Sequence, residues 1–319
     1  MTAAGSRQAA GDPIVVVGAG LAGVACARTL HTAGAPVVLI DRGRRIGGRM
    51  TSRRFDDRPV DLGASYLTVA DPVFGAVVED WQRRGLARPW TDTFAVAGDD
   101  PKTGPVRWAA PGGLRSLVED LAGGLDVVDA TSVSGVQRSG VGWLVDDRPA
   151  SAVVLAMPDP QAHRLLAEDL RADLPAAASF EPVLALVAAW SQRCWDFDGL
   201  FVNDHPSLAW VADDGRRRGD GAPVLVAHST SGYAGQHLAE PAAAGPELSR
   251  ALQELIGAPE PARTHVHRWT FARPAGGRPE PYALVDGGLG LCGDGWAEKP
   301  RVEAAYLSGR AVAEALLTR

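Results

Sequence analysis

Lysine is almost missing from this chain. It occurs only at Lys102 and Lys299, so the basic residues are nearly all arginine, in keeping with a high-GC coding sequence. Cysteine is equally sparse. Cys26, Cys194 and Cys292 stand alone and are odd in number, which supports neither a disulfide framework nor a CxxC metal site; no residue is assigned to a metal. Buried thiols in a reduced, cytoplasmic protein are the expectation. No apolar run of about 18 residues or more occurs, so no membrane span is expected. Positive charge is short as well. The net charge of −6 argues against nucleic acid as the main partner, because phosphate binding needs a basic face. Met1 to Asp12 is polar and alanine-rich without an apolar centre, and reads as neither signal nor transit peptide. The GxSxG and HExxH motifs are missing too. What remains is an ordinary globular composition, 46% hydrophobic and 22% charged over 319 residues, enough for one large or two medium domains.

The most informative stretch is Pro13 to Met50. Ile14 to Val17 is a short β-branched run of the kind buried on both faces of a sheet, and it breaks into Gly18-Ala-Gly20-Leu21-Ala22-Gly23 at the start of a helical pattern. Gly18 permits the turn, Gly20 leaves the backbone bare for a pyrophosphate, and Gly23 lets the helix pack closely on the strand. The helix N-terminus then offers unpaired N–H groups and a partial positive charge. Gly34 ends the helix, and Val37 to Ile40 forms a second buried strand that leads into Asp41. An acidic side chain about 20 residues past the glycines is placed to accept hydrogen bonds from a ribose diol. Arg42 is either a reader of a 2′-phosphate or a solvated surface side chain.

Gly47-Gly48-Arg49-Met50-Thr51, followed by Asp61-Leu-Gly63-Ala64-Ser65-Tyr66, has no role in a bare nicotinamide-binding domain. These segments resemble the flavin amine oxidase superfamily, and GGRMTS and DLGASYLT resemble its bacterial renalase-like flavoproteins. In that family the GGR loop lies along the pyrophosphate and the following segment lies against the isoalloxazine ring. The resemblance therefore implies FAD as cofactor, with Gly48, Arg49, Met50, Gly63, Ala64 and Ser65 among its contacts. It recurs in PGGLRSLVEDL from Pro111, and in a β-meander after Asp126 that leads to a buried strand ending at Pro158. There Val133 matches the position whose backbone meets the adenine. Near the C-terminus, Gly290 to Gly295 follows a short strand and precedes the last helix, with Pro300 read as a first-turn proline. This resembles the second flavin motif, in which Gly293, Asp294 and Val302 contact FAD and the helix N-terminus points at the pyrimidine end of the ring. Val302, Ala305, Tyr306, Gly309 and Ala313 recur at helical spacing and read as the packing face of that helix.

The expected fold is α/β, a Rossmann-like FAD-binding domain (a parallel sheet with a β-meander insert) interleaved with a mixed-sheet α+β substrate domain. Residues 1–70, 111–158 and 286–319 are assigned to the first and 71–110 and 159–285 to the second. Asp71 and Pro72 read as a helix start, with the helix running to Gly85. Two strands, Thr91 to Val96 and Val106 to Ala109, are expected to flank a turn from Gly98 to Gly104. Helical patterns over Pro160 to Leu170 and Pro246 to Leu255 alternate with strand-like runs over 183–190, 208–212, 224–228 and 265–271. Trp190, Trp195, Trp210 and Trp269 all fall in this region, where most tryptophans are core. The resemblance marks Tyr66, His228, Trp269 and Arg268 as candidates to line the substrate site.

The resemblance implies an oxidase that takes a hydride from misreduced nicotinamide dinucleotides, the 2- and 6-dihydro isomers of NAD(P), and passes the electrons to O2 to give hydrogen peroxide. Such a donor carries an activated hydride and needs no general base, in line with the lack of an acid/base constellation and with no residue assigned a catalytic role. Flavin amine oxidases hold a water on a lysine near flavin N5. With Lys102 in a turn and Lys299 at a helix cap, this chain lacks that lysine. A large anionic donor needs positive partners, and Arg216, Arg217, Arg218, Arg268, Arg273 and Arg278 are the candidates. Two alternatives stand beside this reading: an amine oxidase or desaturase on the same scaffold, and a dinucleotide-binding redox sensor without turnover. Oligomeric state is not assigned.

Overall fold

The computed structural model describes residues 11–140 and 142–319, so the reading of the N-terminal segment falls mostly outside the described residues. The chain forms two compact units, each built from separate stretches. The first takes the chain as far as Gly48, then Val118–Phe180 and Pro274–Arg319; the second is Arg49–Leu117 with Glu181–Arg273.

In the first unit, β1 (Ile14–Val17), α1 (Leu21–Thr32) and β2 (Val37–Ile40) form the opening strand–helix–strand. The second unit then takes β3 (Ser52–Phe55), β4 (Arg58–Asp61), α2 (Pro72–Arg83), β5 (Arg88–Val96) and β6 (Asp99–Ala109), and α3 (Leu114–Leu121) carries the chain back. Next come β7 (Val127–Val128), β8 (Val136–Ser139), β9 (Gly142–Val145), β10 (Arg148–Ala150), β11 (Ala152–Leu155), α4 (Asp159–Ala162) and α5 (Glu168–Ala172). The second unit resumes with β12 (Phe180–Ala189), β13 (Gly199–Phe201), β14 (Leu208–Asp213), α6 (Asp214–Arg218), β15 (Val224–Ser229), α7 (Ser231–Gln236), α8 (Gly245–Ile256) and β16 (Arg263–Pro274). The first unit closes with β17 (Ala283–Val285), β18 (Leu289–Leu291) and α9 (Val302–Leu317).

A six-stranded sheet in the order β17-β18-β11-β1-β2-β7 is the frame of the first unit, and only β17 runs against its neighbour. Its central strands are apolar at every position because both faces are covered. The expected meander is a three-stranded antiparallel sheet, β10-β9-β8. One core joins Val15, Val38, Val153 and Leu289 to Trp143 and to Ala162, Leu166, Leu170 and Leu174. This explains where the chain divides. Residues 159–180 pack on the core of the first unit, and the separate β3–β4 hairpin leads away from it at Gly48. The crossings therefore fall after 48, 117, 180 and 273, where the sequence reading places them after 70, 110, 158 and 285.

The second unit is built on a seven-stranded sheet, β16-β12-β15-β14-β13-β5-β6. Its runs match the strands expected over 183–190, 208–212, 224–228 and 265–271; three are lengthened by one to three residues at one end or both, and β12 starts three residues earlier and stops before Trp190. Asp71 caps α2, accepting from the Val73 N–H at 2.8 Å with Pro72 in the first turn, as read from the sequence. Other details differ. Residues 99–104 are strand, because the polar Asp99 to Gly104 lies on the exposed edge strand β6, and the turn shrinks to Ala97 and Gly98. Lys102 thus stands on β6 opposite Phe94. The helix expected over 160–170 is broken into α4, a 3-10 turn at His163–Leu165, and α5. Pro300 precedes the capping residue Arg301, so α9 starts at Val302 without a first-turn proline. The buried residues of α9 are Glu303, Ala304, Ser308, Gly309, Val312 and Ala313, with Ala305 and Tyr306 half-buried beside them. Among the described residues no helix is long and apolar enough to cross a membrane.

Candidate functional site

The first unit carries a nucleotide cradle at the C-terminal ends of β1 and β2. Gly18 adopts φ +106, and a Cβ there would meet the Ala156 carbonyl oxygen at 2.5 Å, so the turn admits glycine alone. A Cβ on Gly23 would lie far inside contact with the Gly18 carbonyl, which explains the third glycine. Gly20 caps α1 without any side chain, leaving the N–H groups of Leu21, Ala22 and Gly23 to an anionic ligand. The second glycine pair joins the same turn. Gly47 N–H donates to the Ala19 carbonyl at 2.8 Å, and Gly48, at φ +52, is pressed onto Gly20, where its Cβ would stand 3.0 Å from the Gly20 Cα.

Asp41 ends β2 and ties this turn together. Its two carboxylate oxygens accept from Ala19 N–H and Gly43 N–H, each at 2.6 Å, and each retains a lone pair for a ribose hydroxyl. Arg42 is exposed beside it. Ile40, Thr131, Val133, Val145, Asp146, Asp147 and Arg148 line a cavity of about 440 Å³, in which the three aliphatic side chains form a wall that suits a purine. From the other end of the chain, Gly293 follows β18 at φ +154 with open space on its Cβ side, and its N–H donates to Ser308 Oγ on α9 at 2.9 Å. Asp294 follows, and Val302 begins a helix that, like α1, has no side-chain cap. Gly309 lets α9 approach the Ala22 carbonyl of α1. A bare double-glycine turn, two uncapped helix ends, a carboxylate and an apolar pocket in one unit fit a dinucleotide.

The other expected cofactor contacts, Arg49, Met50, Gly63, Ala64 and Ser65, lie in the second unit. There the loop 62–66 is fixed from several sides. Ala64 N–H donates to the Arg49 carbonyl at 2.9 Å, and Arg49 donates to the Ala272 carbonyl at 3.2 Å. The Leu62 carbonyl accepts from Trp269 Nε1 at 2.9 Å and from His228 Nε2 at 3.2 Å. That contact sets the His228 tautomer, with the hydrogen on Nε2. Trp210 Nε1 donates to Ser65 Oγ at 3.0 Å, and Arg217 to the Ser65 carbonyl at 2.9 Å. Two of the substrate-lining candidates, His228 and Trp269, are therefore brought together on one carbonyl. Tyr66 stands apart in an aromatic group with Trp90, Phe94 and Trp210. The strand pleat turns Arg268 away from Trp269, and its guanidinium donates to the Leu238 carbonyl at 2.6 Å.

Beneath the loop lies a buried ionic group that the sequence does not announce. Asp61 is 1% exposed; it accepts from Ser52 Oγ and from Leu114 N–H at 3.0 Å. Arg217 and Arg218 of α6 lie beside it, and both pair with Asp214. Arg58 spans Asp214 at 2.5 Å and Asp220 at 2.8 Å. Burial raises Asp61 against the pull of Arg217 and Arg218. Burial also pushes Asp214 upward, but Arg217, Arg218 and Arg58 outweigh it and hold that carboxyl at about 2. Arg217 and Arg218 are thus support for the loop and not substrate ligands, and Arg216 pairs with exposed Asp196 at 2.7 Å. Arg278, in the first unit, is taken by Asp159 at 2.6 Å.

Burial acts first on each of the candidate residues, and arginines add to it. Burial and then Arg107 act on Tyr66, and the first raises its hydroxyl above the usual range. Burial, Arg273 and Arg217 lower His228 to about 4, although its bond to Leu62 opposes them. Burial, Arg53, His265 and Arg268 lower His267 to about 4.

Residues 16–81 match the family model of the NAD(P)-binding Rossmann-like domain, and residues 91–317 match that of the flavin containing amine oxidoreductases. Among curated proteins, polyamine oxidase 1 of Oryza sativa subsp. japonica is 32% identical over 127 residues, 38% of this chain and 22% of that protein. Putrescine oxidase of Kocuria rosea is 36% identical over 76 residues, 24% of this chain and 16% of that protein. The matched segments thus span less than a quarter of these relatives' lengths. Among solved structures, a wild-type putrescine oxidase bound to putrescine superposes with a TM-score of 0.72 at 17% identity, covering 97% of this chain and 99% of the other. An oxidoreductase from Methanosarcina mazei gives 0.73 at 15% identity over 95% and 100%. At such identities these two structures establish the fold. The family match across 91–317, joined to the nucleotide cradle, establishes more: the chain belongs to the flavin containing amine oxidoreductase family, and FAD is the cofactor that this membership implies.

Proposed function

We propose that this chain is an FAD-dependent oxidase that removes a hydride from a carbon next to nitrogen in a small donor. FAD supplies the two-electron acceptor when bound, and the protein supplies binding, orientation and charge. The observation that carries this reading is the family match over residues 91–317 together with the glycine cradle around Asp41. The donor loses a hydride and leaves as a cation, iminium or nicotinamide. The electrons pass to O2, and one hydride with one proton gives hydrogen peroxide. The chain's own part is to hold the 62–66 loop rigid through Arg217, Trp269 and His228, and to keep His228 neutral near pH 7.

Two donors share a C–H beside nitrogen. An amine is the reading the relatives support, since those compared include polyamine and putrescine oxidases. A 2- or 6-dihydronicotinamide dinucleotide is the reading the local charge supports. Arg107 lies beside Tyr66, and Arg53 sets its guanidinium 3.4 Å from His267; these two cations oppose a protonated amine and favour an anion, whereas Arg217 and Arg273 are paired with Asp214 and Glu181. Neither lysine serves as the family's flavin-side lysine in this reading: Lys102 is exposed on edge strand β6, and Lys299 is exposed ahead of α9. Anaerobic mixing of the FAD-loaded protein with putrescine, spermidine and the 2- and 6-dihydro isomers of NAD and NADP separates the two readings. Bleaching of the flavin by amines alone removes the dinucleotide reading, and bleaching by dinucleotides alone removes the amine. Bleaching by neither removes the oxidase and leaves a dinucleotide-binding protein.

A further inference from the structure

We infer that Arg53, His265 and His267 form a binding site for a diphosphate group, that of a dinucleotide donor whose ring end lies toward Trp269. The inference rests on the dinucleotide reading above and assigns the place where that donor's charge is held.

His265, His267 and Trp269 occupy alternate positions of β16 and so share one face of the strand. Trp269 reaches the Leu62 carbonyl at one end, and its ring meets the His267 ring edge-on at 4.7 Å. Arg53, on β3, sets Nη1 3.4 Å from His267 Nδ1. A guanidinium only donates, so Nδ1 accepts and the His267 hydrogen sits on Nε2. Burial, and after it Arg53, lowers His265 below the usual histidine range. The three side chains thus present donors in a row that starts at the tryptophan bound to the 62–66 loop. A strand advances about 7 Å for every two residues, so the row runs about 13 Å from Trp269 to His265.

The charge in this row is unspent. Arg53 is exposed and forms no ion pair among the described residues. The nearby acids are already engaged: Asp56 with Arg263, Asp57 with Arg54 at 3.3 Å, and Glu181 with Arg273 at 3.7 Å. Two imidazoles beside an exposed guanidinium offer N–H donors along one face of the strand, and a diphosphate has the oxygens to take several at once. A cationic diamine has nothing to bind here.

Three measurements on the FAD-loaded protein test the site. Calorimetric titration with inorganic pyrophosphate should show binding that Arg53→Met weakens by about tenfold or more. The control Arg54→Met, on the same hairpin, should change it less than twofold. With 6-dihydro-NAD as donor, Arg53→Met should raise KM by a similar factor at unchanged kcat. With 6-dihydronicotinamide riboside, which lacks phosphate, KM should stay constant. Equal pyrophosphate affinity in wild type and Arg53→Met overturns the site, as does an equal KM rise for dinucleotide and riboside. If pyrophosphate binding depends on Arg53 while only amines bleach the flavin, the anion site stands and the donor reading falls.

Discussion

Arg217 reaches from α6 to the Ser65 carbonyl, 2.9 Å away, with a side chain that is 1% exposed. The same guanidinium holds Asp214 and the Asp61 carbonyl, so one buried arginine joins the loop expected to face the flavin ring to the ionic group beneath it. Arg217→Met removes these bonds and leaves buried Asp61 and Asp214 with Arg58 and Arg218 alone. Breaking a buried network from one side costs about 3–5 kcal/mol. Urea melts should show a loss of that size. Arg216→Met, which removes the outer pairs to Asp196 and Asp198, should cost less than about 1 kcal/mol. Equal losses for the two variants would show that burial of Arg217 adds nothing.

Gly309 sets how closely α9 lies on α1. Its missing side chain leaves room for the Ala22 carbonyl, and a Cβ would lie far inside contact with that oxygen. The neighbour is rigid helix backbone, so it cannot yield as a side-chain tip would. Gly309→Ala should cost about 1–3 kcal/mol as an overpacking change and should weaken FAD retention, because the shifted helix carries Val302 and Ser308. Gly235→Ala, in α7 with open space around it, should be neutral or slightly stabilising. Thermal melts and the flavin-to-protein absorbance ratio read both.

Much of the first unit was legible because its signals are local. The glycine turn, the buried β-branched strands and Asp41 lie within thirty residues of one another and obey fixed spacing, and strand burial on both faces writes itself as unbroken apolar runs. The support beneath the 62–66 loop was not legible, because Arg58, Asp61, Asp214 and Arg217 meet only through the tertiary fold, with sequence separations above 150 for the pairs joining β4 to α6. Arg216 to Arg218 read as a solvated or ligand-binding run for the same reason. A run of like charges does not show that Arg217 and Arg218 lie beside Asp61 until the fold brings β4 to α6. The edge strand β6 was hidden by composition. Its polar residues mark a turn by pattern, yet an exposed edge tolerates them. Which core residues 159–180 join was hidden as well, since Ala162, Leu166 and Leu170 carry too short and broken a pattern to reveal it.

Asp41 is positioned to act twice, and a substitution separates the roles. Its carboxylate organises Ala19 and Gly43 through two 2.6 Å bonds, and in the proposed complex it also receives the ribose. Asp41→Ala loses both functions and should lower FAD affinity by a hundredfold or so; Asp41→Asn keeps one acceptor oxygen and should lose about tenfold. Release of flavin fluorescence on dilution measures each. Unchanged affinity in Asp41→Ala would remove the carboxylate from the cofactor site.

Acid should destabilise this protein through its half-buried histidines before it reaches its carboxylates. His228 and His267 titrate near 4 in the folded chain and near the ordinary histidine value of about 6.5 once unfolded. Between those values the unfolded state binds more protons, so stability is full above about pH 6.5 and falls as pH drops toward 4. A shift of this size is worth about 3 kcal/mol for His228, the more deeply buried of the two. Asp214, held at about 2 by its arginines, acts in a separate window: its stabilisation persists until pH falls below about 3.8. His228→Gln keeps an amide donor for the Leu62 carbonyl but cannot titrate. Unfolding free energies from urea melts at pH 7.5, 6 and 5 should therefore fall less steeply in His228→Gln than in the wild type. Parallel slopes would mean that the proton is taken up elsewhere.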